Sequence, residues 1–231
     1  MGNYSIGEMP RSLPVTLAAQ VIQVETATIG HVRHVGFMHA SIQALDAGRR
    51  IVGVAVTLAL PAHDSTLLHY ALGLTRAGDV IVIDRLGDER YACWGGGVTN
   101  AAKKAGVAGA IIDGPCTDPS KIRQQGFALW CRGVSPITTR VADIGGTLNQ
   151  PVSCGGVVVR PGDIVLADEN GVVVLDPAEG AAIAEAALAR QAASVERMRA
   201  VNAGALLGDL SGATALVTRS LEREKKEVSR P

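Results

Sequence analysis

GDVIVIDRLGDERYACWGGGVTNAAKKAGVAGAIIDG, residues 78–114, reads as strand, loop, helix and strand. GDVIVID (78–84) is a β-branched apolar run bounded by a glycine and a charged turn, and VAGAIID (107–113) repeats that pattern. Between them, GGVTNAAKKAG (96–106) has the composition of a helix that closes on Gly106, as helix C-caps commonly do. Two strands joined through a helix form a parallel pair, and parallel strands are apolar throughout because both faces are covered. The pattern extends outward in both directions. Upstream, RIVGVAVTLAL (50–60) reads as a buried strand ended by Pro61, and Asp64 or Ser65 is placed to N-cap a helix through STLLHYALGLTR. Downstream, PSKIRQQG (119–126) reads as a short helix closed by Gly126 and FALWCRG (127–133) as a strand. The expectation is an α/β fold with a buried parallel sheet and helices on its faces.

The flanks differ in character. Residues 15–48 read as two short helical segments, the second containing ETATIGHVRHVGFMHASIQAL (25–45). From residue 136, short β runs separated by GG, PGD and ENG turns suggest a compact β layer. Pro177 then opens an alanine-rich helix of roughly 25 residues. The last stretch, 212–231, ends in a mixed-charge helix from Arg219 to Val228. With neither linker nor repeat, 1–231 is expected to be one domain, with its core at about 24–176 and C-terminal helices at about 177–231.

Composition narrows the function classes. Twenty-two Lys and Arg balance 22 Asp and Glu, which argues against nucleic acid as a partner, since phosphate neutralisation needs a basic surplus. Aromatic residues at 3% argue against a base-stacking platform. No apolar run reaches 18 residues, and the first residues lack the basic-then-apolar layout of a leader, so no membrane partner and a cytoplasmic location are expected. Cys93, Cys116, Cys131 and Cys154 have no zinc spacing and are expected to be small buried hydrophobes. His31 and His34 are spaced to share a helix face, and the five histidines make no HExxH.

In α/β sheets ligands gather at the carboxyl ends of the parallel strands. Three loops occupy such ends here: 84–100, 113–120, and the stretch from Arg132 to Arg140. Gly95, Gly96 and Gly97 open a helix, and bare backbone amides at a helix N-terminus suit a carboxylate or small phosphate; a tight turn that allows close helix–strand packing needs the same residues. Asp118 precedes Pro119 and is placed to N-cap the following helix, or to hold a hard divalent cation beside the glycine run. Arg85, Arg90, Arg132 and Arg140 flank these loops and could face the same anion. Asp84, Asp88 and Glu89 read as turn or surface residues, and His69 as a residue at the rim.

GDVIVID, WGGGVTNAAKKAGVAGAIIDG, CTD and QPVSCGGVVVRPGDIVLADENGVVVL, spread over about residues 24–176, resemble one family. It unites the class II 4-hydroxy-4-methyl-2-oxoglutarate / 4-carboxy-4-hydroxy-2-oxoadipate aldolases, which also decarboxylate oxaloacetate, with the regulator of ribonuclease E activity. The resemblance implies an αββα sandwich of the swivelling β/β/α type with a C-terminal helical extension. It implies a homotrimer or homohexamer with sites between subunits. The backbone of Gly95, Gly96, Gly97 and Val98 would receive a small-molecule carboxylate substrate such as a 2-oxo acid, and Asp118 would hold Mg or Mn through its water shell. The chain departs from the aldolases at three places: Thr117 replaces the arginine before the metal aspartate, Gly96 replaces an acidic residue, and Ala205 stands near the position of a C-terminal glutamate. Arg140 and Arg90 are the candidates to supply the missing cation. The expected activity is therefore a metal-assisted lyase, retro-aldol or decarboxylating, with Asp118, Arg140 and Arg90 catalytic and Thr117 beside the substrate. Alternatives are another small-acid enzyme, a hydrolase or isomerase, on the same scaffold, or a non-catalytic regulatory binding protein.

Overall fold

The structure is a computed structural model that describes residues 3–228. It opens with β1 (Tyr4–Ile6), the short helices α1 (Val15–Val21) and α2 (Thr26–Ile29), and β2 (Gln43–Ala44). A regular alternation follows: β3 (Ile51–Ala59), α3 (Thr66–Leu72), β4 (Asp79–Asp84), α4 (Gly96–Lys104), β5 (Gly109–Asp113), α5 (Pro119–Gln124) and β6 (Leu129–Cys131). Five short strands come next: β7 (Gly146–Leu148), β8 (Val152–Cys154), β9 (Val157–Val159), β10 (Ile164–Asp168) and β11 (Gly171–Leu175). The chain closes with α6 (Gly180–Asn202), α7 (Leu207–Ser211) and α8 (Ala213–Val228).

Strands β3, β4, β5 and β6 lie side by side and parallel, as the reading from 78–114 predicts. Their side chains alternate between two cores. Val56, Leu58, Ile81, Ile83, Ala110, Ile112 and Leu129 enter one; Ala55, Val80, Val82, Ile111 and Trp130 enter the other. This period of two, apolar on both sides, is why these strands read as continuous hydrophobic runs. Helices α3, α4 and α5 cover the first core through Leu67, Leu68, Ala71, Ala102 and Ile122.

The second face is covered differently from expectation. Val152, Cys154, Val159, Val165, Ala167, Val172 and Val174 pack there, so strands rather than helices close it. The later β runs are not one separate layer either. β7 and β10 pair antiparallel with opposite ends of the same β3 edge, β11 pairs with β10, and only β8 and β9 form a two-stranded sheet of their own. β3 makes this possible because it is nine residues long, enough for two short partners on one edge.

Residues 25–45 depart from the helical reading. The helix there ends at Ile29, and His31 falls in a turn, so His31 and His34 share no helix face. Gly36 adopts a left-handed φ of 87°, where a Cβ would collide with the Val174 carbonyl. The chain then runs extended along β11, with Phe37 bridged to Val173 and the Met38 amide donating to the Val172 carbonyl at 3.0 Å. Backbone pairing with an available strand edge displaces a helix that Gly30 and Gly36 already weaken.

The chain divides into two compact units, Met1–Ala187 and Leu188–Pro231. The first contains both cores. The second is helical, and its α8 exposes Leu216, Val217 and Leu221. The long helix α6 begins at Gly180, three residues after Pro177, because 177–179 form a turn. Among the described residues, no helix is long and apolar enough to cross a membrane.

Candidate active site

The C-terminal ends of β4 and β5 release the two loops that build the site. Trp94 forms a parallel bridge to Cys116, and the Thr117 amide donates to the Trp94 carbonyl at 2.8 Å. The glycine run is therefore laid directly against the segment carrying Thr117 and Asp118. A Cβ at Gly95 would stand 2.8 Å from Thr117 Cγ2 and 3.1 Å from Asp118 Oδ2, closer than side chains approach. Gly97 is the opposite case: a Cβ there meets nothing within 4 Å. Gly95 thus meets the close-packing reading, while Gly97 faces open space.

Asp118 does not cap its own helix. It stands at the N-cap position of α5 with a left-handed backbone, φ 54°, and makes no side-chain capping bond. Its Oδ2 instead accepts the Gly96 amide at 3.1 Å, so the carboxylate caps the neighbouring helix α4. The first amides of a helix have no intrahelical partner, and those of Gly97 and Val98 are among them. Lys121 Nζ stands 3.7 Å from Asp118 Oδ1, and the Asp118 side chain keeps 38% of its surface exposed.

These residues border one cavity of about 860 Å³. Gly95, Gly96, Gly97, Val98, Thr117 and Asp118 line it, and Arg140 joins them from the third loop. His69 on α3 and Lys104 at the end of α4 also line it. Arg140 is set in place through its backbone. Its amide donates to the His63 carbonyl at 2.8 Å, and its carbonyl accepts the Ser65 amide at 2.8 Å and the Ser65 hydroxyl at 3.1 Å.

Asp64 fixes the chain beyond Arg140. Its Oδ1 accepts the Thr66 amide and hydroxyl and the Ala142 amide, while its Oδ2 accepts the amides of Ile144 and Gly145. Burial would push this carboxyl up, but the Thr66, Ala142 and Ile144 donors outweigh it and hold it far below the usual carboxylate range. Expected only as a helix cap, Asp64 in fact ties α3 to the 140–145 loop.

The other arginines lie elsewhere. Arg90 does not line the cavity; its guanidinium sits 5.5 Å from the centroid of the Tyr91 ring, and its carbonyl accepts the Ser135 hydroxyl. Arg85 is fully buried and donates to the carbonyls of Leu60, Ala62 and Tyr91, joining three chain segments. Arg132 is engaged by Asp113 and by Ser41. Arg140 is thus the one of the four that borders the glycine run. Asp84 and Asp88 serve turns, accepting the amides of Leu86 and of Arg90 and Tyr91.

All four cysteines are buried and free. Cys93 reaches the cavity wall, but burial pushes its thiol up to about 11, which leaves little thiolate at neutral pH. Among the described residues no group of three or more His, Cys, Asp or Glu is arranged to hold a metal. Sequence reasoning missed Lys121 and Lys104. Both had a signal: Lys121 follows Asp118 by three residues, and Lys104 falls two turns beyond Gly97 on the same helix face.

Sheet, loops and cavity together define an α/β protein in which helix amides, a carboxylate and cationic side chains border one cavity. Residues 22–174 match the model of the RraA-like family, Aldolase/RraA, and the chain belongs to that family. It is 34% identical over 163 residues to a Halalkalibacterium halodurans protein named "Putative 4-hydroxy-4-methyl-2-oxoglutarate aldolase", covering 71% of this chain and 77% of that one. Among solved structures it is similar to Streptomyces coelicolor RraAS2, described as an unusual member of the RNase ES inhibitor RraA family. That similarity has a TM-score of 0.72 and 28% identity, over 80% of this chain and 98% of that one. It is also similar to RraA from Thermus thermophilis, described as an RNA-processing inhibitor, with a TM-score of 0.60 and 26% identity over 65% and 92% of the two chains.

Proposed function

We propose that this chain is a carbon–carbon lyase acting on a small 2-oxo acid, by retro-aldol cleavage or decarboxylation, with release of pyruvate or a similar product. The observation that carries the reading is the convergence of the α4 amides, the Asp118 carboxylate and Arg140 on one cavity. The name of the Halalkalibacterium relative supports the same class of reaction.

The amides of Gly97 and Val98, at the positive end of α4, bind the carboxylate next to the oxo group. Arg140 meets the second charge of a diacid or the charge that develops during cleavage. In a retro-aldol step the hydroxyl at C4 gives its proton to a base, and the C3–C4 bond breaks. Its electron pair moves toward the 2-oxo oxygen, and C3 takes up a proton to complete pyruvate. His69, which borders the cavity, is the side chain we assign as that base.

Asp118 fits the role of a divalent-metal ligand in its simplest form. The Gly96 amide fixes Oδ2, while Oδ1 keeps only an ion pair to an exposed lysine, and the cavity has room for the waters that Mg retains. When bound, Mg or Mn would act as a Lewis acid on the 2-oxo group. Lys121, whose side chain is 68% exposed, would have to swing away as the cation arrives. A homotrimer or homohexamer with a cytoplasmic location belongs to the same reading, and light scattering measures the assembly.

Pyruvate release from oxaloacetate and from a 4-hydroxy-2-oxo diacid, with Mg, with Mn and with EDTA, tests the proposal. Metal-dependent pyruvate is expected. Metal-independent turnover would point to another small-acid enzyme, and silence on both substrates to a binding role like that of the RNA-processing inhibitor RraA from Thermus thermophilis.

A further inference from the structure

The cavity is larger than a pyruvate-sized acid requires. At about 860 Å³ it lies toward the upper end of the roughly 300–1,000 Å³ typical of pockets for drug-sized ligands, whereas the glycine run and Asp118 occupy only one end of it. The rest is a groove between two helices. On α4, Gly97, Ala101 and Lys104 recur at helical spacing along one face; on the α3 side, Ser65, His69 and Leu72 do the same. Val98 and Ala101 make the α4 wall apolar between Gly97 and Lys104, and Leu72 and Ala105 add apolar surface to the groove. Its far end carries Lys104, in the last turn of α4. Seven helical steps lead from Gly97 to Lys104, a rise of about 10 Å.

Building on the lyase reading, we infer that the groove between α3 and α4 is the subsite for the distal arm of the substrate, an apolar arm about 10 Å long that ends in an anionic group at Lys104. Charge selects this occupant. The groove carries cations at both ends, Arg140 and Lys104, and its one carboxylate, Asp118, is already engaged by the Gly96 amide and Lys121. An apolar arm fills the middle without stranding a polar group, and a terminal carboxylate finds Lys104. In the retro-aldol step this arm stays on C4 and leaves with the new carbonyl group, as an aldehyde or a ketone, so the groove sets which carbonyl product is released.

The test uses stable 2-oxo acid mimics: oxamate, and an N-substituted oxamate whose arm of about 10 Å ends in a carboxyphenyl group. Calorimetric titration of the full chain should find the armed compound bound at least about tenfold more tightly than oxamate, a gain of about 1.4 kcal/mol. Ala101→Phe, which fills the middle of the groove, should erase most of that ratio. Lys104→Gln should lower it by about threefold, the scale of an exposed ion pair. Arm-dependent binding without pyruvate release from any 4-hydroxy-2-oxo acid would keep the groove assignment and remove the lyase reading. Equal binding of the two compounds would overturn the groove assignment. So would an Ala101→Phe variant that changes the light-scattering mass and leaves the ratio alone, because the face would then be a contact between copies of this chain.

Discussion

Asp64 and Asp118 both stand within two residues of a helix start at the same end of the sheet, yet the chain uses them in opposite ways. Asp64 is buried and receives five hydrogen bonds from Thr66, Ala142, Ile144 and Gly145. Asp118 receives one, from the Gly96 amide, and its other oxygen has only the ion pair to the exposed Lys121. A carboxylate whose acceptor sites are filled by backbone donors is a clasp; one held by a single amide at a cavity wall is positioned and still available. The clasp holds the 140–145 loop that carries Arg140, so the first aspartate builds the wall against which the second would act.

Four predictions press on this contrast. Asp64→Ala should cost the most stability, about 2–3 kcal/mol in urea unfolding, because it removes the buried acceptor of five hydrogen bonds. Asp118→Ala should cost no more than about 1 kcal/mol, the scale of a lost helix cap, while lowering metal-stimulated pyruvate release by about 100-fold or more. If the two stability losses proved equal, the contrast between clasp and available carboxylate would collapse.

The third prediction concerns pH. The Asp64 carboxyl is lowered in the folded protein against about 3.9 in an unfolded chain. A lowered carboxyl stabilises the fold above its unfolded value and loses that contribution as pH falls toward its folded value. The stability difference between wild type and Asp64→Asn should therefore be constant from pH 5 to 7 on denaturation curves, within about 0.5 kcal/mol, and shrink below about pH 4. The smallest effect belongs to Arg140→Ala. Its guanidinium is exposed and its backbone bonds survive the substitution, so a rise in KM of about fivefold with stability unchanged is expected.

The parallel sheet was legible because each of its strands must be apolar on both faces, and RIVGVAVTLAL, GDVIVID and VAGAIID carry that necessity openly. The glycines at 106 and 126 marked helix ends for a similarly local reason: both adopt left-handed φ values, 77° and 64°. Residues 25–45 were misread because their structure is decided by an edge of β11 almost 140 residues away, which no local pattern announces. The site divides along the same line. The three loops at the strand ends were foreseeable from the order of elements, and they do meet at one cavity. Which arginine faces it was not, since Arg85, Arg90, Arg132 and Arg140 look alike in sequence and differ only in the partners that folding brings to them. Nor did the spacing before Pro119 reveal that Asp118 would cap α4 in place of its own helix.

The most direct test of the account is oxaloacetate decarboxylation by wild type and Asp118→Ala, each with Mg and with EDTA, alongside their unfolding curves. The account predicts metal-stimulated pyruvate release by the wild type, its loss in the variant, and nearly superimposable unfolding. An Asp118→Ala protein that retains the full metal-stimulated rate would contradict it.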